Sequence, residues 1–74
     1  MEIKLLVKQA RIKAGMSQTE LAQRADISRS YLNELESGKY TNPGINIMCR
    51  LASALNCKID DLVDYKKAEE AKNG

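Results

Sequence analysis

Histidine, tryptophan and phenylalanine are absent from this 74-residue chain, proline occurs once and cysteine twice. Without histidine, the commonest metal ligand and the usual general base near neutral pH are missing. Cys49 and Cys57 stand eight residues apart with no CxxC pair, so neither a zinc site nor a redox-active dithiol is supported, and both are expected to be buried structural thiols. There is no glycine-rich phosphate loop, no setting for a cysteine nucleophile and no cluster of carboxylates, which sets an enzyme aside; no cofactor, metal or small-molecule ligand is expected. The apolar run Leu5, Leu6, Val7 is far too short for a signal core or a membrane span, and the expected setting is the reducing cytoplasm, away from membranes.

What remains is largely aliphatic and charged. Hydrophobic residues make up 43% of the chain, enough for one small domain whose core typically contributes only about 3 to 5 kcal/mol. At such a length no separate sensing or catalytic domain is expected. Twelve Lys and Arg against ten Asp and Glu give +2, too mild an excess to announce a polyanionic partner by itself. Its distribution says more: Lys4, Lys8, Arg11 and Lys13 face only Glu2 within residues 1–16, while the rest of the chain is close to balance. Any one of these lysines is equally an ordinary solvated charge on a helix face.

Apolar periodicity predicts an all-α chain of five helices and short loops over residues 1–64, followed by a polar tail, 65–74, that either extends the fifth helix or frays. The first helix is expected from about Ile3 to Ala14, with Ile3, Val7, Ala10 and Ala14 facing inward, and Gly15 suits the left-handed residue that closes it before Met16 drops into the core. Ser17 followed by Glu20 reads as a capping box that starts the second. After a polar loop containing Pro43, residues Ile45, Met48, Leu51, Ala52 and Leu55 define a fourth helix that ends at Asn56, and Ile59, Leu62 and Val63 suggest a short fifth.

Between them, Gln18 to Leu35 (QTELAQRADISRSYLNEL) carries two short helical patterns whose apolar residues face each other across a three-residue break, Asp26 to Ser28. Leu21, Ala22 and Ala25 line one helix, Leu32 and Leu35 the other, with Ile27 in the break. Two helices set at an angle around a tight turn is the arrangement of a DNA-reading helix-turn-helix. The turn requires a left-handed backbone at Asp26, which aspartate tolerates at a cost on the order of 1 kcal/mol, and Ser28 can cap the helix that follows, which stops at Gly38. With Leu32 and Leu35 turned inward, the opposite side of this third helix presents Ser30, Asn33, Glu34 and Ser37, with Arg29 at its first turn. Arg29, Ser30, Asn33 and Glu34 are therefore the candidate base readers: Arg forks onto guanine, Asn onto adenine, Ser onto either, and Glu accepts from cytosine. Each is equally an exposed polar residue until the motif is given weight. Gln18 opens the second helix, where free backbone N–H groups can hold a phosphate oxygen. Thr19, Tyr31, Lys39, Tyr40, Thr41 and Asn42 are candidates for flanking phosphates, with an edge-of-core role an equal alternative for Tyr31.

The segments RIKAG, MSQTELAQRADIS, YLNELESGK and RLASALNCKIDDLV, in this order over residues 3–63, resemble the repressors of the Cro/C1 and xenobiotic-response-element type. Asp26 departs from the family's usual glycine, Lys58 from its usual Ser or Thr cap, and the TNPGIN loop is of variable type. The resemblance implies a compact five-helix repressor-like domain that binds double-stranded DNA specifically, as a homodimer on a palindromic operator, with the residue matching Gln18 anchoring the backbone and steadying the first reader, here Arg29. It also supplies a partner for Glu36, whose carboxylate falls on the core side of the third helix: the matching residue is Arg11, giving a structural ion pair. The rival reading is an interaction module on the same fold, such as an antitoxin or coactivator, which should show an apolar patch on the third helix.

Overall fold

A computed structural model describes residues 4–40 and 42–64. Four α-helices, α1 (Val7–Lys13), α2 (Gln18–Ala25), α3 (Arg29–Glu36) and α4 (Gly44–Leu55), are followed by one 3₁₀ turn, Ile59–Leu62. Two short strands, β1 (Lys4–Leu5) and β2 (Val63–Asp64), bracket them as an antiparallel pair, Lys4 opposite Asp64 and Leu5 opposite Val63. Within the described residues the expected all-α, five-helix chain is thus four helices and a two-stranded clasp. Ile59, Leu62 and Val63 have the spacing of a helix turn, but Val63 swings into extended backbone (φ −133°, ψ 137°) to pair with Leu5, and the turn stops after four residues. The same clasp starts the first helix at Val7 rather than Ile3, since Lys4 and Leu5 are held extended and the Leu6 amide donates to the Leu62 carbonyl at 2.8 Å. The expected tail 65–74, with Ile3 and Thr41, lies outside the described residues.

One core unites the helices. Val7, Leu21, Ala22, Ala25, Leu32, Leu35, Met48, Leu51, Ala52, Leu55 and Leu62 are buried, with Met16, Ile27 and Tyr31 packed against them. Ala22 and Ala25 are small where α2 meets its neighbours, so the helices approach closely without displacing leucines. Three apolar positions fall outside this core against expectation. Ala14 caps α1 in solvent, and Ile45, on the first turn of α4, is 69% exposed, its place taken by the half-buried Ile47. Cys49 follows the buried Met48 by one residue, a 100° step round the helix, and is exposed; Cys57 is half-buried, and desolvation, then the nearby Asp61 charge, push its thiol above the ordinary range.

All four helices end alike. Gly15 (φ 74°), Asp26 (58°), Gly38 (88°) and Asn56 (55°) are left-handed, and each helix closes with a pair of backbone hydrogen bonds, as in Gly15 N–H to Ile12 and Met16 N–H to Arg11 after α1. Starts differ. The hydroxyls of Ser17 and Ser28 accept from Glu20 N–H and Tyr31 N–H, both at 3.0 Å. The Ser17 box is half made, because the Glu20 carboxylate turns along the helix to Arg24 at 2.9 Å. At the 3₁₀ turn the missing hydroxyl of Lys58 is replaced from the other side: Asp61 accepts the Lys58 N–H at 3.1 Å.

Candidate nucleic-acid interface

Helices α2 and α3 are joined by Asp26, Ile27 and Ser28. Asp26 takes the left-handed conformation (φ 58°, ψ 47°), the Ile27 amide reaches back to the Ala22 carbonyl at 3.0 Å, and Ser28 is extended and caps α3. These three residues reverse the chain so that Leu21 and Ala25 of α2 meet Leu32 and Leu35 of α3 in the core. The opposite side of α3 is left in solvent. Arg29, Ser30 and Asn33 are exposed there and carry no side-chain hydrogen bond among the described residues.

Glu34 differs from those three. Its carboxylate is paired with Lys39 at 3.2 Å, and its side chain is 35% exposed, so a candidate base reader and a candidate phosphate contact are tied to each other. The chain closes over this pair at the end of α3, where the Lys39 amide donates to the Glu34 carbonyl at 3.0 Å. Tyr31 and Tyr40 also meet, their rings 5.7 Å apart and tilted by 41°; Tyr31 leans on the core while Tyr40 faces solvent. Thr19 and Asn42 are exposed.

Behind the exposed face of α3 lies a polar network. Arg11 grips Glu36 with two parallel bonds, Nε to Oε2 at 2.7 Å and Nη2 to Oε1 at 3.0 Å, and its Nη1 donates to the Met16 carbonyl at 2.9 Å. Only 13% of the Arg11 side chain and 3% of that of Glu36 are exposed. The hydrogen bond to Glu36 raises the Arg11 guanidinium above its ordinary value, against the opposing effect of burial. Gln18 joins them: its Nε2 donates to Glu36 Oε1 at 2.9 Å. The amide of Gln18 is thereby engaged on Glu36 rather than on Arg29, and its orientation at the head of α2 is set by the same carboxylate that binds α1 to α3.

One residue of this interface has no signal in the local pattern. Arg50, on the exposed side of α4, donates Nη1 to the carbonyl of Asp26 at 3.2 Å, across 24 residues of sequence. Among the described residues no helix is long and apolar enough to cross a membrane, and no group of three or more acidic or cysteine side chains is placed to hold a metal ion.

Known helix-turn-helix proteins share this geometry. A helix-turn-helix family profile matches residues 7–62. The chain is 34% identical over 64 residues to the transcriptional regulator SinR of Bacillus subtilis, a match that covers 86% of this chain and 58% of that regulator. Among solved structures, SinR in complex with DNA superposes with a TM-score of 0.70 at 33% identity, covering 73% of this chain and 86% of that one. The restriction-modification controller protein C.AhdI from Aeromonas hydrophila does so with a TM-score of 0.70 at 29% identity, covering 74% and 82%.

Proposed function

This chain belongs to the Cro/C1-type helix-turn-helix family, and from that premise we propose that it is a transcriptional regulator that binds double-stranded DNA sequence-specifically, acting as a repressor. The observation that carries this reading is the exposed face of α3, where Arg29 and Ser30 at the N-terminal end and Asn33 one turn on are unengaged. A helix that enters the major groove by that end offers these three side chains to base edges. Lys39 holds only Oε2 of Glu34, which leaves Oε1 to accept from a base and two ammonium N–H groups of Lys39 for a phosphate. Gln18 and Thr19 at the head of α2, Tyr31 in the first turn of α3, and Tyr40 and Asn42 beyond its end supply the flanking backbone contacts, with Thr41 assigned to the same task from the sequence.

The rest of the reading follows the family. The working unit is a homodimer on a palindromic site, its half-sites about 34 Å apart so that two copies of α3 enter successive major grooves. The domain spans residues 1–64, and its place is the cytoplasm. An antitoxin or other protein-binding role is the weaker alternative, because among the described residues the exposed large hydrophobics are Ile12 on α1, Tyr40 in the loop and Ile45 at the start of α4, none of them on α3.

Selection of bound duplexes from a random pool tests the proposal. The intact chain is expected to enrich one sequence class, and Arg29→Ala and Asn33→Ala are each expected to lose the preference at one base position, worth roughly 1 to 3 kcal/mol. Failure to enrich any sequence, with affinity that follows salt alone, overturns specific recognition.

A further inference from the structure

The turn between α2 and α3 is the part of the interface with the least support of its own. Its left-handed residue is Asp26 rather than glycine, so the backbone there is held in a conformation that L-residues disfavour. The Asp26 carboxylate also sits at the C-terminal end of α2, where the helix dipole is negative and a negative charge is unwelcome. Cations belong at such an end. Arg24, the basic residue in the last turn of α2, is occupied one turn back by Glu20 at 2.9 Å. Arg50 of α4 fills the need from outside, placing its guanidinium on the Asp26 carbonyl at 3.2 Å. Because α3 begins three residues later with Arg29, the angle at which the exposed face of α3 leaves the turn depends on the backbone at Asp26.

We propose that Arg50 is a positioning residue for base recognition: its guanidinium tethers the strained Asp26 turn to α4 and so fixes the pose of α3, without touching the nucleic acid. The inference rests on the DNA-reading role argued above. A tether of this kind acts on the specific complex, in which α3 must meet base edges within a few tenths of an ångström, and leaves non-specific attraction to the phosphate backbone alone. Relaxing the turn itself should make the tether dispensable.

The test measures the affinity of the full chain for its selected duplex and for a random duplex, across a salt series, in the wild type and in Arg50→Ala, Asp26→Gly and the double variant, with thermal melting of each. Arg50→Ala is expected to weaken the selected duplex roughly threefold to tenfold, as for one charge-assisted hydrogen bond at the surface. The random duplex and the salt slope should be unchanged, and in the Asp26→Gly background the loss should be at most half as large on the logarithmic scale. Arg50→Lys, whose ammonium can donate to the same carbonyl, is expected to recover part of the preference and serves if the alanine variant melts early. Equal loss on both duplexes with a salt slope shallower by about 0.9 would make Arg50 a direct phosphate contact and overturn the proposal. So would an unchanged preference in Arg50→Ala. If the wild type itself prefers no duplex, it is the proposed function that fails, which is separable from either result.

Discussion

Glu36 receives three hydrogen bonds, two from Arg11 and one from Gln18, with almost none of its side chain in water. Such a carboxylate is satisfied only while its partners stay, and the converse holds for Arg11, whose charge is also largely enclosed. Removing one member of an enclosed pair costs about 3 to 5 kcal/mol, chiefly because the other is left uncompensated. Glu34, two residues earlier, is half in solvent and joined to the mostly exposed Lys39, a kind of pair that contributes about 0 to 1 kcal/mol. Glu36→Ala is therefore expected to lower the urea midpoint far more than Glu34→Ala, while only Glu34→Ala changes which duplexes are selected. Similar midpoints for the two variants would remove the structural assignment of the Arg11–Glu36 pair. The core a chain of this size can build makes the difference visible, since a loss of a few kcal/mol is comparable with the whole stability.

At the scale of elements, the turn and the caps decide where α2 and α3 lie. Asp26→Val puts a β-branched side chain at φ 58° and is expected to cost about 1 to 2 kcal/mol in thermal or urea melts, whereas Asp26→Gly should cost nothing measurable because it relieves both the backbone conformation and the charge at the helix end. A loss in the glycine variant as large as in the valine variant would mean that the aspartate side chain itself holds the turn. These elements were legible in the sequence because they are local: Ser17 and Ser28 three residues before the amides they cap, leucines and alanines at helical spacing, left-handed residues at Gly15 and Gly38. Other features depend on partners distant in sequence. The β1–β2 clasp joins Leu5 to Val63 through two-residue strands too short to show any alternation, and it ends what the spacing of Ile59, Leu62 and Val63 presents as a helix. Arg50 falls on the exposed face of a well-predicted helix, where an arginine is unremarkable until the Asp26 carbonyl is seen beside it. The Arg11–Glu36 pair is intermediate: the helical face shows that Glu36 needs a partner, but only the family resemblance said which.

For the molecule as a whole, the question is how much of its attraction to DNA comes from charge. The net charge is only +2, and among the residues assigned to direct contact with DNA the cations are Arg29 and Lys39. Lys39 is already neutralised locally by Glu34, and Arg50 is committed to the Asp26 carbonyl. Each phosphate neutralised releases counterions and contributes about −0.9 to the slope of log affinity against log salt. Even if Arg29 shields a phosphate as well as reading a base, two cations per chain set a slope no steeper than about −2 per bound copy, and about −4 for a pair on a palindrome. So shallow a dependence leaves most of the affinity to base contacts and to uncharged donors such as Gln18 and the amides at the head of α2, which is the balance a specific reader with little net charge requires. Lys4, Lys8 and Lys13 are exposed and concentrate the positive charge at the start of the chain. A measured slope of about −5 per copy would bring them onto the phosphates, and substituting the three by glutamine would then flatten it. At a slope near −2 the same substitution should leave binding to the selected duplex almost unchanged, and the basic start of the chain is a solvated face.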